Sequence, residues 1–275
     1  MKKNRPTPRP RRRTHTPESP ADENLPDGER LHKVLAHAGL GSRRRIEEWI
    51  RQGQVRINGR LARLGERWHA GDRIQLKGRP VNLSKRLGGV VRVLVYHKPV
   101  GEVVTRRDPE GRPTVFKRLP KLTKGRWVNV GRLDINTEGL LLFTNRGELA
   151  NRLMHPSRAL EREYAVRVYG KVDDAVLSRL QREVNLDDGP ARFESIEPAG
   201  GEGANRWYKV VLTEGRNRIV RRLWESAGVT VSRLIRIRYG SIVLPEGLAS
   251  GRLHELSRAE VKQLSRGDRP VAPTL

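Results

Sequence analysis

Gly53 separates two hydrophobic periods, and that change confines the chain around it to a small unit of helices followed by strands. Before it, Leu31, Val34, Leu35 and Ala38 recur at helical spacing, with Gly39 placed to end the helix. Ser42 can cap a second helix with the apolar stripe Ile46, Trp49 and Ile50, which Gly53 stops. After it the pattern alternates. Val55 and Ile57 run into Asn58-Gly59, a pair favoured in two-residue hairpins because both positions take positive φ. Ile74 and Leu76, after Gly71-Asp72, supply a closing strand. The spacing therefore predicts two short helices leading into a small sheet over residues 29–80.

That unit is strongly basic at one corner. Arg43, Arg44 and Arg45 open its second helix and Arg51 closes it. Guanidinium forks beside the positive end of a helix suit phosphate, although three consecutive arginines also fit a plain solvated surface. Residues 81–91, through VNLSKRLGG, read as a linker, and a larger domain over 92–264 begins at VVRVLVYHKPVGEVV. Its strand patterns fall at 127–130, 140–144, 163–169, 207–213 and 234–238. Helical patterns fall near 114–119, 147–154, 173–182, 219–226 and 258–264. No strand-helix-strand unit repeats and no glycine-rich nucleotide loop follows the first strand, so the pattern predicts an α+β domain. Its sheet should be mixed and largely antiparallel, with one face or cleft exposed. Residues 1–28 form a Pro- and Arg-rich arm, expected to be disordered because its first 20 residues hold seven Lys or Arg, one acid and almost nothing apolar. Residues 265–275 read as a flexible tail.

Charge indicates what such a chain meets. Lys plus Arg total 56 against 31 Asp plus Glu in 275 residues, a formal net charge of +25. Solubility needs no such excess, and neutralising phosphates releases counterions, so nucleic acid is the expected partner ahead of an anionic membrane surface. The absence of cysteine excludes disulfides, thiolate zinc sites and cysteine nucleophiles. Seven scattered histidines lack the pairing of a histidine metal centre, so no metal is expected. No apolar stretch approaches the roughly 20 residues of a membrane span, and no apolar secretory segment is evident. A soluble cytoplasmic protein is expected, without a membrane partner, and a monomer by default.

The densest polar punctuation in the larger domain is VGRLDINTEGLLLFTNRGELANRLMHP. Gly131 permits a positive φ, while Asp134, Asn136 and Thr137 can bond to nearby amides before the Leu140 to Phe143 strand. Such a loop can hold the Asp134 carboxylate at the edge of a cleft. Asp-x-Asn is also a common turn composition, in which Asp134 would do no more than cap its turn. Later, LTEGRNRIVRRLWESAG places Arg216 and Arg218 at a strand-to-helix junction and Arg221 and Arg222 on the first helical turns. One arginine turned inward could orient a carboxylate while its neighbours, with Arg132, hold phosphate; the competing account is a run facing solvent. In EREYAVRVY, alternation puts Tyr164, Val166 and Val168 on one face, where Tyr164 either fills the core or offers a ring to a base.

The run YHKPVGEVVTRRDPEGRPTVFKRLP, followed by GRLDINTEGLLLFTN, REYAVRV and EGRNRIVRRLWESAG, resembles the pseudouridine synthase family typified by the A-type enzyme of the small ribosomal subunit, and within it the B-type enzymes of the large one. Residues 29–77 resemble the ribosomal-protein S-four RNA-binding domain that precedes the catalytic domain in that family. The resemblance covers about residues 29–258 and implies a small S-four-type domain ahead of a pseudouridine synthase domain. It implies an enzyme that isomerises uridine to pseudouridine in ribosomal RNA without a cofactor, with 23S rRNA or a precursor in large-ribosome-half assembly as its partner. On this resemblance the catalytic aspartate is Asp134, Tyr164 stacks on the flipped base or assists proton removal, and Arg221 pairs with Asp134. Lys98 and Pro99 fall in the first motif, whose role is mainly structural around the pocket; Lys98 is also a candidate RNA contact.

The atom balance agrees with that implication. The reaction breaks the bond from ribose to uracil N1, turns the base and joins ribose to C5, so no oxidant, metal or group donor is needed. One aspartate, acting as nucleophile or as a base on the sugar, suffices. A noncatalytic ribosome-assembly or rRNA-binding protein of the same fold would share the charge and the small domain. The set Asp134, Tyr164 and Arg221 favours the enzyme, and DNA-binding or membrane-surface readings account for none of the four motifs.

Overall fold

Residues 28–266 are described by the computed structural model, so the arm read over 1–28, apart from Gly28, and the tail beyond Arg266 lie outside the described residues. The small unit is built from β1 (Glu29–Arg30), α1 (Leu31–His37), α2 (Arg43–Arg51), β2 (Val55–Ile57), β3 (Arg60–Leu61), β4 (Arg67–Trp68), β5 (Ile74–Leu76) and β6 (Arg79–Val81). The Ser42 hydroxyl accepts the Arg45 N–H at 3.2 Å, so the cap expected for α2 is in place. Asn58 and Gly59 take φ of 50° and 84° and turn β2 directly into β3. Leu31, Val34, Leu35, Ile46 and Ile50 pack against Val55, Ile57, Trp68 and Ile74 to form one core.

The segment read as a linker belongs to that core in part. Residues Leu83–Leu87 form a helix, α3, capped by the Asn82 side chain on the Lys85 N–H at 2.8 Å. Leu83 and Leu87 are buried in the small cluster. A single i, i+4 pair is too short a signal to stand out beside Gly88-Gly89, and the turn is stabilised by burial in the small core.

The larger domain contains β7 (Val93–Lys98), β8 (Val128–Val130), β9 (Glu138–Thr144), α4 (Gly147–Met154), β10 (Arg162–Tyr169), α5 (Asp174–Gln181), β11 (Val184–Leu186), β12 (Gly189–Ala191), β13 (Ser195–Glu202), β14 (Asn205–Leu212), α6 (Ile219–Ser226), β15 (Thr230–Tyr239), β16 (Ile242–Val243), β17 (Leu253–Glu255) and α7 (Arg258–Arg266). Seven strands follow the order β13-β14-β10-β15-β9-β7-β17, with β16 on β15 and β8 on β9. Every pairing in this sheet is antiparallel except that of β9 with β15. The expected α+β architecture is therefore present.

The parallel contact is short, and it shapes the molecule. β15 pairs with β9 only at Ile235↔Glu138 and Arg236↔Gly139, whereas β8 takes Leu142 to Thr144 of β9. Since β7 runs along the other edge of β9, the sheet splits near Leu140. The β8–β9 loop, residues 131–137, lies at this split. Strand alternation turns Tyr164, Val166 and Val168 of β10 toward the core that also holds Leu223 and Trp224 of α6. This packing brings α6 and the 131–137 loop to the same end of the sheet.

Candidate active site

Three consecutive carbonyls hold the loop that carries Asp134. The Gly101 N–H donates to Ile135 O at 2.8 Å, Arg221 Nη2 to Asn136 O at 2.9 Å, and Lys98 Nζ to Thr137 O at 2.9 Å. Gly131 enters the loop at φ 74°, and the Thr137 N–H closes the turn on Asp134 O at 3.0 Å. Because the backbone closes the turn, the Asp134 side chain is not its cap. The carboxylate takes no hydrogen bond or ion pair from any described residue. It is half-buried on the wall of a cleft of about 710 Å³, which also presents Arg132, Tyr164, Arg218 and Arg236.

Tyr164 is 7% exposed; it belongs to the main core and also lines this cleft. Arg132 and Arg218 are exposed at the cleft, Arg218 with a left-handed backbone at φ 50° immediately before α6. Across the small unit, Arg43, Arg44, Arg45 and Arg51 are exposed; Arg45 lies over the Trp49 ring at 5.6 Å and Arg51 meets Glu48 at 3.2 Å.

Two expectations need correction. Arg221 does not pair with Asp134: it is 8% exposed, and its two terminal nitrogens donate to Asn136 O and Val231 O. Burial and Arg218 lower its proton affinity while the field of Asp134 opposes them, so the two charges interact through space without a hydrogen bond. Arg221 thus aims the loop rather than the acid. Lys98 is fully buried and cannot meet RNA, because the loop covers it. Arg216, which lines the cleft, and Arg222 are both partly exposed and each is held by Asp188. Arg222 grips both oxygens of Asp188 at 2.7 and 2.9 Å, and Arg216 donates to Asp188 Oδ1 at 2.9 Å, Pro190 O at 2.6 Å and Glu214 Oε1 at 3.0 Å. The Arg222 fork holds the Asp188 carboxyl below its usual range. The acid lies at the turn of the β11–β12 hairpin, which the sequence pattern did not reveal, so its reach to these arginines was invisible.

Burial pulls Lys98 down to about 8, against the opposing fields of Glu102, Asp134 and Glu138. Its folded pKa is depressed, so between about pH 8 and the ordinary lysine range the unfolded chain binds more protons and folding stability should rise with pH. A neutral amine still has two hydrogens for Pro99 O and Thr137 O. The rise should be smaller in Lys98→Met by an amount of the order of a few kcal/mol between pH 8 and 10. Chemical denaturation at both pH values would test this, and equal slopes in parent and variant would reject the assignment.

Sequence reasoning passed over Gly101, Gly139, Thr137 as a buried wall residue, and Arg236. Arg236 left one usable signal. In LIRIRY it alternates with Leu234 on the face that should be apolar, and an arginine at such a position is unusual without a task.

Residues 92–226 match the RNA pseudouridylate synthase family and residues 29–74 the S4 domain. The chain is 57% identical over 253 residues to the ribosomal large subunit pseudouridine synthase B of Pasteurella multocida, covering 91% of this chain and 73% of that one. It is 60% identical over 238 residues to the protein of the same name from Escherichia coli, covering 86% and 82%. A crystal structure of a pseudouridylate synthase shares the fold, with a TM-score of 0.61 at 24% identity over 86% of this chain and 99% of that one. With an S4 domain ahead of a split sheet and its cleft, the chain belongs to the RNA pseudouridylate synthase family and isomerises uridine to pseudouridine.

Proposed function

We propose that the substrate is a uridine of 23S rRNA, met in the cytoplasm as free RNA or as a precursor of the large ribosomal particle, and that Asp134 is the catalytic carboxylate. The observation that carries the second part is the unpartnered Asp134 carboxylate on the cleft wall, with its loop backbone held at three successive carbonyls. The relatives named for the large ribosomal subunit support the first part.

In this reading the target uridine leaves its stack and enters the cleft, where Tyr164 faces the base. The carboxylate then meets the sugar, either bonding to C1′ or taking the 2′ proton while the bond to N1 breaks. Arg221 and Lys98 hold the loop that sets its reach. Arg43, Arg44, Arg45 and Arg51 grip phosphates on the S4 domain, and Arg132 and Arg218 do so at the mouth. A-form RNA is read largely through its shape and backbone, so the S4 arginines supply register rather than sequence.

Pseudouridine mapping of ribosomal RNA from cells with and without the gene tests this. A 23S signal should disappear without the gene. It should return with the parent gene and return only partially with Arg43→Ala, Arg44→Ala and Arg45→Ala combined. An unchanged 23S map would reject the substrate, and full restoration by the triple variant would reject the grip.

A further inference from the structure

The assignment so far leaves a buried cation without a task. Arg236 of β15 is 2% exposed and lines the cleft that holds Asp134. Its cross-strand neighbours are Tyr164 on β10 and Gly139 on β9. The guanidinium lies 5.1 Å from the Tyr239 ring centroid. Its Nε donates to Leu140 O at 2.7 Å, a carbonyl of β9 close to where the sheet splits. Neither terminal nitrogen has a hydrogen bond to a described residue, and Nη2 is buried as well as unpartnered.

Such a group is costly for a fold to keep. A buried guanidinium normally spends its donors on carbonyls, as Arg221 does, or on a carboxylate. Arg236 is instead anchored at Nε and by its stack on Tyr239, which leaves its terminal nitrogens without a hydrogen-bond partner among the described residues, in the cleft that Tyr164 also lines. Fixed donors in a site poor in water stabilise a developing negative charge strongly, because nothing must reorganise when the charge appears.

Cleavage of a uridine C1′–N1 bond creates that charge. The bonding pair stays on N1 and spreads over O2 and O4, while Asp134 meets the sugar left short of electrons. After the ring turns, C5 supplies the pair for the new bond to C1′. The C5 proton then leaves to solvent and N1 gains one, so the product is an isomer. We propose that the terminal nitrogens of Arg236 donate to a carbonyl oxygen of the flipped uracil and hold the charge of the uracil anion between these two bonds. This rests on the reading that the cleft beside Asp134 receives the flipped uridine. Arg236 neither gives nor takes a proton, since guanidinium stays charged in proteins.

The test compares RNA carrying uridine with RNA carrying 5-fluorouridine at the target position, in single turnover, scored by consumption of the target nucleoside. Fluorine withdraws electrons and stabilises the departing ring anion by itself, so that substrate depends less on Arg236. Arg236→Gln should slow uridine consumption by about 100-fold or more, keep RNA affinity within about threefold, and lose at least tenfold less on the fluorinated RNA. Arg236→Lys, which retains the charge, should recover part of the rate. The ratio of the two rates is taken within each variant, so an unfolded fraction cancels. Equal losses on both substrates, or an undiminished rate on uridine, would overturn the proposal. Asp134→Asn run in parallel separates the two readings. If it is inactive while Arg236→Gln keeps full rate, only the role of Arg236 fails; if it turns over fully, the placement of the uridine fails first.

Discussion

Asp134→Asn should stop pseudouridine formation while leaving the fold and the RNA affinity almost unchanged. The amide keeps the size of the side chain but cannot bond to C1′ or accept the 2′ proton, and loss of a central catalytic group costs about 10⁴-fold or more in rate. Little stability should be lost, because the carboxylate has no hydrogen bond or ion pair to any described residue and the turn is closed through Asp134 O. The remaining contribution is the field it exerts on Lys98 and Arg221, which a change of melting temperature of only a few degrees would reflect. Tritium release from RNA labelled at C5 of uridine measures the rate, and a filter-binding titration at fixed salt measures affinity. Turnover within tenfold of the parent would remove Asp134 from the chemistry.

Gly139→Ala should act on the fold instead. Gly139 lies at φ 106°, outside the range that L side chains adopt without strain. A Cβ there would stand 2.3 Å from Arg236 O and 2.7 Å from Arg236 N, backbone atoms of the neighbouring strand that no side-chain rotation can clear. The parallel contact between β9 and β15 therefore requires a glycine, and that contact joins the loop of Asp134 to the strand of Arg236. The substitution should destabilise the protein by about 4 kcal/mol or more, which is a fall in melting temperature of roughly 10 °C for a chain of this size. The folded remainder should also be slow, because β15 must move away from the loop. A melting temperature within 2 °C of the parent would show that the two strands do not depend on this close approach. The two variants thus separate the acid from the scaffold that aims it.

Much of the scaffold was legible before any coordinates. The change of period at Gly53, the Ser42 cap and the Asn58-Gly59 hairpin all appear as read, because each depends on neighbours within four residues. The resemblance carried the family and pointed to Asp134 and Tyr164, and both line one cleft. Short signals fared worse. Leu83 and Leu87 form a single apolar pair, and α3 emerges only when the small core receives it. The β11–β12 hairpin was also passed over, and with it the capture of Arg216 and Arg222 by Asp188.

The arginines mark the boundary most clearly. Sequence alone pointed to a polyanion partner, through 56 basic against 31 acidic residues, and showed which short stretches turn, alternate or coil, since local sterics and burial of one face act over a few residues. It could not say which guanidinium is spent and which is free. Arg221 supports a loop 85 residues away, Arg222 holds an acid 34 residues away, and Arg236 leaves Nη2 without a hydrogen-bond partner among the described residues. A long flexible cation takes whichever acceptor the folded chain brings within about 3 Å, and that choice belongs to three-dimensional proximity rather than to any pattern along the chain.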